Sequence, residues 1–380
     1  MIRNALLLCA ALLTALCFAC VQALPPPQPP PPVVGQTATC DPSPFLAKAF
    51  LLSPGFNPRL TGQNYTPPKS AGQVDPNGNI GKDLASAYCL ADSTIRSQLL
   101  RLNAVFINQD SCLTSACSEN SWGYRERPEQ PPGNGRYIAL SASLWPQPNA
   151  QAITYRTYEN NRLNDLLAWP TTNSPTYPPP VAGTNPSDTP QMAVLAALAH
   201  EYGHVLWYDE LKPNGRYNLR GFCDGNFFQF WASQHIPGTW RDFQSRGKRK
   251  GHMPDLHATG VQIKDIDTEI QNNQFDNASS DLSQLFNTDA PWASFLGAIS
   301  IDEDFVETFT LDTLTQAALT QNPSFTLSLP IQFIDGTQAN IAADYATGGK
   351  QDLGDKANCI ADALPPSSAG NIRARVRLYR

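Results

Sequence analysis

The segment from residue 192 to residue 209 constrains the fold of this chain most, because it has the clearest helical pattern in the sequence. Thr189 is a residue type that caps helices, and Pro190 suits a first helical turn. His200 and His204 are four residues apart, so their rings are expected to project from one face of the helix.

These two histidines and the glutamate that follows the first of them predict a metal site. Both imidazoles can bind one tetrahedral Zn²⁺ through a neutral nitrogen. Glu201 can take a proton from a metal-activated water and pass it to a leaving amine. The run His200-Glu201-Tyr202-Gly203-His204 therefore matches the HExxH arrangement of zinc peptidases. Gly203 weakens a helix relative to alanine, which makes sense if another segment approaches closely there.

A zinc site of this kind needs a third protein ligand, so that the fourth position is left for water. Glu303 and Glu307 are four residues apart in a segment predicted to be helical from 302 to 319, and they share a face. One carboxylate can bind the metal while the other accepts the free N–H of a metal-bound histidine.

The segment Glu303-Asp304-Phe305-Val306-Glu307-Thr308-Phe309 resembles the gluzincin metallopeptidases, in which a glutamate ligand follows HExxH on a separate helix. The resemblance is confined to the HExxH helix and to this segment. It implies that Glu303 is the third ligand, that Glu307 supports a zinc-bound histidine, and that the domain is a zincin-like metallopeptidase.

Two other carboxylates are alternatives for the third ligand. Asp242 ends the run Gly238-Thr239-Trp240-Arg241-Asp242, which is similar to the Gly-Thr-x-Asp segment of aspartate-ligand zincins but one residue longer. Glu210 has the spacing of the third ligand in metzincins, although Trp207 stands where that geometry needs a glycine.

The N-terminus predicts export. Arg3 precedes an apolar run from residue 5 to 19, and Val21-Gln22-Ala23 is a small-residue cleavage pattern. Residues 1–23 are therefore interpreted as a signal peptide of a secreted or periplasmic protein. The alternative is lipid attachment at Cys20, which would be the one route to a membrane.

Three parts follow from this interpretation: the signal peptide, a proline-rich linker over 24–39, and one zincin-like metallopeptidase domain over 40–380. The fold class is predicted as α+β, with the active-site helix, a small mixed sheet in the N-terminal half and a helical C-terminal half. The predicted strands are 104–107 and 136–145. Residues 137–144 of the second could form an edge that pairs with extended substrate, and a plain sheet strand fits the sequence equally well. The predicted helices are 83–103, 192–209, 227–233 and 302–319.

Cysteine usage agrees with export. Of the nine cysteines, Cys9, Cys17 and Cys20 belong to the predicted signal, which leaves six. An even number in an exported chain predicts disulfides, with Cys112–Cys117 as the favoured local pair. The sequons at Asn64 and Asn277 matter only if the source is eukaryotic.

Composition limits the partners. The net charge of −6 and the 16% of charged residues argue against a nucleic-acid surface. A peptide or protein substrate is what the resemblance to zinc metallopeptidases implies. The alternatives are a catalytically silent zinc-binding module of zincin fold and a disulfide-stabilised scaffold without metal. The group that stabilises the oxyanion is left open among the tyrosines, Tyr345 included, and three histidines: His235, His252 and His257.

Overall fold

The structure is a computed structural model, and it describes residues 40–54, 69–108, 122–125, 135–146, 150–167, 176, 188–207, 257–258, 261–284, 293–294, 296–298, 301–321 and 329–341. The chain divides into two compact units, Met1–Cys40 and Asp41–Arg380. All helices and strands below belong to the second unit. The predicted signal peptide, the proline-rich linker and the predicted helix 227–233 lie outside the described residues.

A mixed β-sheet is built from the N-terminal half. Among the described residues, its five strands have the order β2-β1-β3-β5-β4. Strands β1, β3 and β5 are parallel to one another, whereas β2 and β4 are antiparallel additions at the two edges. The bounds are β1 Ala49–Leu52, β2 Ser70–Gln73, β3 Ala104–Asn108, β4 Trp122–Arg125 and β5 Arg136–Ser141.

The central strand β3 confirms the prediction made for residues 104–107. All of its residues are buried, as expected of a parallel strand covered on both faces. Of the two interpretations of this strand, the edge is wrong and the plain sheet strand is confirmed, because β5 pairs with β3 on one side and with β4 on the other. It also ends earlier than predicted, since the Ser141 side chain accepts a hydrogen bond from the backbone of Ser143 and starts a 3₁₀ turn.

The helices are α1 Ser43–Leu46, α2 Asn79–Leu90, α3 Ser93–Leu99, α4 Tyr155–Leu167, α5 Pro190–Leu206, α6 Ile263–Gln271, α7 Phe275–Gln284 and α8 Ile301–Gln321. Two hairpins also lie in the C-terminal half, β6 His257–Ala258 with β7 Val261–Gln262 and β8 Leu329–Gln332 with β9 Gln338–Ile341. The mixed α+β class with a small mixed sheet is therefore confirmed. None of the described helices has the length and apolar character needed to cross a membrane.

One predicted helix is in fact two. The segment 83–103 forms the end of α2 and then α3, because Asp92 caps a new helix by accepting from the backbone N–H groups of Thr94 and Ile95. Aspartate is a strong N-cap residue, and the extended conformation of Ala91 separates the two helices.

Helix α5 lies at the centre of the unit. Thr189 caps it by accepting from the backbone of Met192, and Pro190 is its first residue, as the sequence predicts. The helix packs against α2, α4 and α8 and against strands β4 and β5. It is apolar around most of its circumference, and this agrees with burial on all sides.

Both described cysteines are oxidised. Cys40 and Cys89 are disulfide-bonded in the structure. The predicted pair Cys112–Cys117 lies outside the part of the chain that the structure describes.

Candidate metal centre

Helix α5 places its two histidines side by side. The ring centroids of His200 and His204 are 5.0 Å apart, and the rings are nearly perpendicular. Only 7% of His200 is exposed, whereas His204 is more open to solvent. Glu201, the next residue along the helix, is also buried.

Helix α8 approaches α5 closely at Gly203, as the sequence predicts. A Cβ atom added to Gly203 would lie 3.2 Å from Cγ1 and 3.3 Å from Cα of Val306, which is tighter than an ordinary contact. Two aromatic pairs extend the contact between the helices, Trp207 with Phe305 and Tyr202 with Phe309. The absence of a side chain at Gly203 therefore helps to set the distance between the two helices.

This close approach brings Glu303 to the two imidazoles. Its Oε2 lies 3.7 Å from Nε2 of His200, and its Oε1 lies 3.6 Å from Nε2 of His204. One ligand atom from each of these three residues lies within 4.8 Å of the others, so the group could hold a metal ion.

Glu307 contacts the other nitrogen of His200. Its Oε1 lies 2.7 Å from Nδ1 of His200, and its Oε2 accepts a hydrogen bond from the Ser294 hydroxyl. A carboxylate can only accept hydrogen bonds, so the proton in the His200–Glu307 contact belongs to Nδ1. Nε2 then faces His204 and Glu303, and it would present its lone pair to a metal ion that displaces its proton.

The structure adds Arg162, a residue that the sequence analysis did not single out. Its guanidinium lies on α4 and contacts two carboxylates, Glu307 at 2.6 Å and Glu159 at 3.0 Å. The Glu159–Arg162 spacing of three residues was visible in the sequence, but such pairs are common on exposed helices. Nothing in the local pattern indicates that this one is buried against Glu307, 145 residues away.

Ser294 is a second residue that sequence reasoning missed. It precedes Glu307 by 13 residues, and its hydroxyl also accepts a hydrogen bond from the backbone N–H of Gly297. No motif in the sequence marks this serine, because its role depends on where α8 begins relative to the preceding 3₁₀ turn, Leu296–Ala298.

Electrostatics at His200 favour a positive charge. Burial alone would lower the pKa of His200, but the hydrogen bond with Glu307 and the nearby carboxylates Glu201 and Glu303 outweigh it and raise the pKa to about 9. Burial would likewise raise the pKa of Glu307, yet the Arg162 guanidinium and His200 hold it well below its usual range. Glu307 is therefore ionised at neutral pH.

The structure does not test the roles of the remaining candidates from the sequence. His257 lies in β6, the first strand of a short hairpin. Five others fall outside the described ranges, so their predicted roles stay untested: Glu210, His235, Asp242, His252 and Tyr345.

Comparisons of the chain with protein-family models, with curated proteins and with solved structures found no match.

Proposed function

We propose that this chain is a zinc-dependent peptidase of zincin fold, in which His200, His204 and Glu303 hold the metal and Glu201 is the general base. The observation that carries the proposal is the convergence of Glu303 on the two imidazole Nε2 atoms, at 3.6 and 3.7 Å. Without that convergence, the HExxH sequence would be only a local pattern on a helix.

The donor set suits zinc. Zinc bonds of about 2.0–2.1 Å in a tetrahedral arrangement separate the ligand atoms by roughly 3.4 Å. The Glu303–imidazole distances of 3.7 and 3.6 Å need only a small contraction to reach it. Calcium and magnesium prefer oxygen ligands, whereas two imidazoles with one carboxylate are typical of catalytic zinc.

The charges around the site also fit a divalent cation. Among the described residues, three carboxylates act on His200, and a fourth pairs with the one guanidinium that opposes them. Burying like charges is costly unless they are compensated, and a cation of charge +2 would compensate most of this excess. The carboxylates are Glu159, Glu201, Glu303 and Glu307, and the guanidinium is that of Arg162.

A zinc ion bound by these residues would supply Lewis acidity, which lowers the pKa of water and polarises a carbonyl. Glu201 then accepts a proton from the attacking water and delivers it to the leaving amine. Its burial supports this role, because few waters can compete for the proton. Glu307 keeps the proton on Nδ1 of His200, so that this ligand presents a constant orientation.

The proposed location and substrate class of the enzyme rest on the N-terminal sequence and on the motif. We propose that it is exported after removal of residues 1–23 and acts on peptides or proteins rather than nucleic acids. The disulfide-bonded state of Cys40 and Cys89 supports an oxidising compartment. Attachment to a membrane would require lipidation at Cys20.

Zinc content tests the metal part of the proposal. The purified chain should bind about one zinc ion, and Glu303→Gln should lose it. Glu269→Gln on α6 is the matched control, since it makes the same chemical change on a helix outside the site. Loss of zinc in Asp242→Asn instead of Glu303→Gln would transfer the third-ligand role to Asp242.

Turnover tests the catalytic part. Glu201→Gln should retain zinc and lower kcat for a fluorophore-labelled unfolded protein substrate by about 10²–10⁴-fold. Wild-type protein that binds zinc but cleaves no member of a broad peptide library would instead be a zinc-binding module. A folded protein that binds no zinc would exclude both functions.

A further inference from the structure

Arg162 is a buried cation that the proposed mechanism does not use. Only 7% of its side chain is exposed, and its two terminal nitrogens contact carboxylates on different helices. NH1 binds Glu159 on its own helix α4, and NH2 binds Glu307 on α8. Burying a guanidinium is costly, so its placement behind the imidazole of His200 calls for an explanation.

We infer that Arg162 is a positioning residue for the metal centre, acting through Glu307 on the imidazole of His200. The inference rests on the proposed zinc site and names the group that holds one of its ligands in place. Arg162 contacts neither the substrate nor the metal in this assignment. Its effect passes through two short contacts, Arg162–Glu307 at 2.6 Å and Glu307–His200 at 2.7 Å.

The geometry at Glu307 explains how the effect is transmitted. Oε1 is shared between Arg162 and His200, while Oε2 is held by Ser294. With both oxygens held, the carboxylate has little freedom to rotate. The planar guanidinium fixes direction as well as charge, because its N–H groups form a rigid fork that also binds Glu159. The carboxylate is therefore aimed at Nδ1 before any metal binds.

The competing interpretation is an ion pair that only joins α4 to α8. Both roles would make the metal-free protein less stable when Arg162 is replaced, so stability does not separate them. If the pair is purely structural, replacing Arg162 would leave the zinc affinity of the folded protein unchanged. If Arg162 is a positioning residue, its replacement would lower the zinc affinity, because part of the binding free energy would then be spent on orienting His200.

The experiment is a double-mutant cycle on zinc affinity, measured by competition with a chromogenic chelator. Arg162→Met should weaken zinc binding about 10-fold, near the lower end of the 10–100-fold range for residues that support a metal ligand. In the Glu307→Gln background, the same change should weaken zinc binding by less than about 3-fold, because Arg162 can no longer act on His200 through the Glu307 carboxylate. Arg156→Met, in the first turn of the same helix, is the matched control and should keep wild-type affinity.

The visible absorption spectrum of the Co²⁺-loaded protein gives an independent readout. The bands should shift in Arg162→Met and stay unchanged in Arg156→Met, since only the former changes the orientation of a ligand. If Arg162→Met does not fold, Arg162→Lys decides by the same affinity measurement. Lysine keeps the charge without the fork, so a loss of a few-fold is expected, smaller than for methionine.

Three results would overturn the inference while leaving the zinc site intact: wild-type affinity in Arg162→Met, wild-type affinity in Arg162→Lys where methionine is not tolerated, or an equal loss with and without Glu307. A wild-type chain that binds no zinc would instead overturn the proposed function itself. The wild-type titration therefore tells the two failures apart.

Discussion

The two sides of the His200 imidazole differ in construction. The front side, facing Nε2, consists of His204 and Glu303, whose side chains are 16% and 21% exposed. The rear side, facing Nδ1, consists of Glu307, Arg162 and Ser294, and the first two are only 4% and 7% exposed. The front is accessible and could exchange a ligand with solvent, while the rear is a buried, fully engaged charge network. The His200 imidazole thus lies between an accessible side, where a metal ion could bind, and a buried side that fixes the orientation of its ring.

Glutamate occurs on both sides of His200 and shows the difference between the two sides most clearly. Glu303 and Glu307 are one turn apart on α8, yet Glu307 is surrounded by a guanidinium, an imidazole and a hydroxyl, whereas Glu303 faces the two Nε2 atoms. Chemical identity and helical spacing do not distinguish them. Burial and the neighbours on other elements do.

The largest expected effect is on the rear side. Glu307→Ala leaves the buried Arg162 without one of its carboxylates, so the metal-free protein should lose about 3–5 kcal/mol of its free energy of unfolding. Denaturant unfolding in the presence of a chelator measures this loss. A change below about 1 kcal/mol would contradict a tightly coupled rear side.

On the front side, the expected effect is on metal binding rather than on folding. Glu303→Ala should weaken zinc binding more than the roughly 100-fold upper range for a supporting residue, because it removes one of the three proposed ligands. Its metal-free stability should change by less than about 1 kcal/mol, since the side chain is partly exposed. Chelator competition and denaturant unfolding of the same preparation give both numbers. Equal stability losses in the Glu303 and Glu307 variants would erase the distinction between the two sides.

A change in the spacing between α5 and α8 should have a smaller effect than removal of either carboxylate. Gly203→Ala would place a methyl group 3.2–3.3 Å from Val306, and overpacking costs about 1–3 kcal/mol, partly offset by the roughly 1 kcal/mol that alanine contributes to a helix. A net loss of about 1 kcal/mol is expected in thermal unfolding. Gly297→Ala is the control, because its added Cβ would meet Glu307 at an ordinary 3.5 Å. Equal effects of the two substitutions would argue that Gly203 does not set the distance between the helices.

The smallest effect concerns the start of α5, away from both sides. Thr189→Ala removes the hydrogen bond that caps the backbone N–H of Met192 and should cost about 1 kcal/mol of stability. Zinc affinity should stay at the wild-type value, because the cap lies about three turns before His200. Thr189→Ser restores the hydroxyl and should recover most of the stability. A fall in zinc affinity would show that helix capping and the metal centre are coupled.

Local rules were sufficient where an element is defined by its own residues. The cap at Thr189, the proline at position 190 and the apolar pattern predicted α5 with its start at the right residue. The same rules were insufficient for β5, whose position inside the sheet depends on β4, a strand of only four residues. They also missed the break between α2 and α3, because the helical pattern of the apolar residues continues across Asp92.

The sequence by itself determined that His200, Glu201 and His204 belong to one helix, because the period of a helix depends only on neighbouring residues. It also restricted the third ligand to a few carboxylates, and the resemblance to gluzincins, rather than any local rule, favoured Glu303 among them. Only the tertiary structure decided that Glu303 faces the Nε2 atoms, that Glu307 lies behind His200, and that Arg162 holds Glu307 in place. The physical reason is that a buried ion pair joins residues 145 positions apart, and no local pattern encodes which distant charge will be buried beside which.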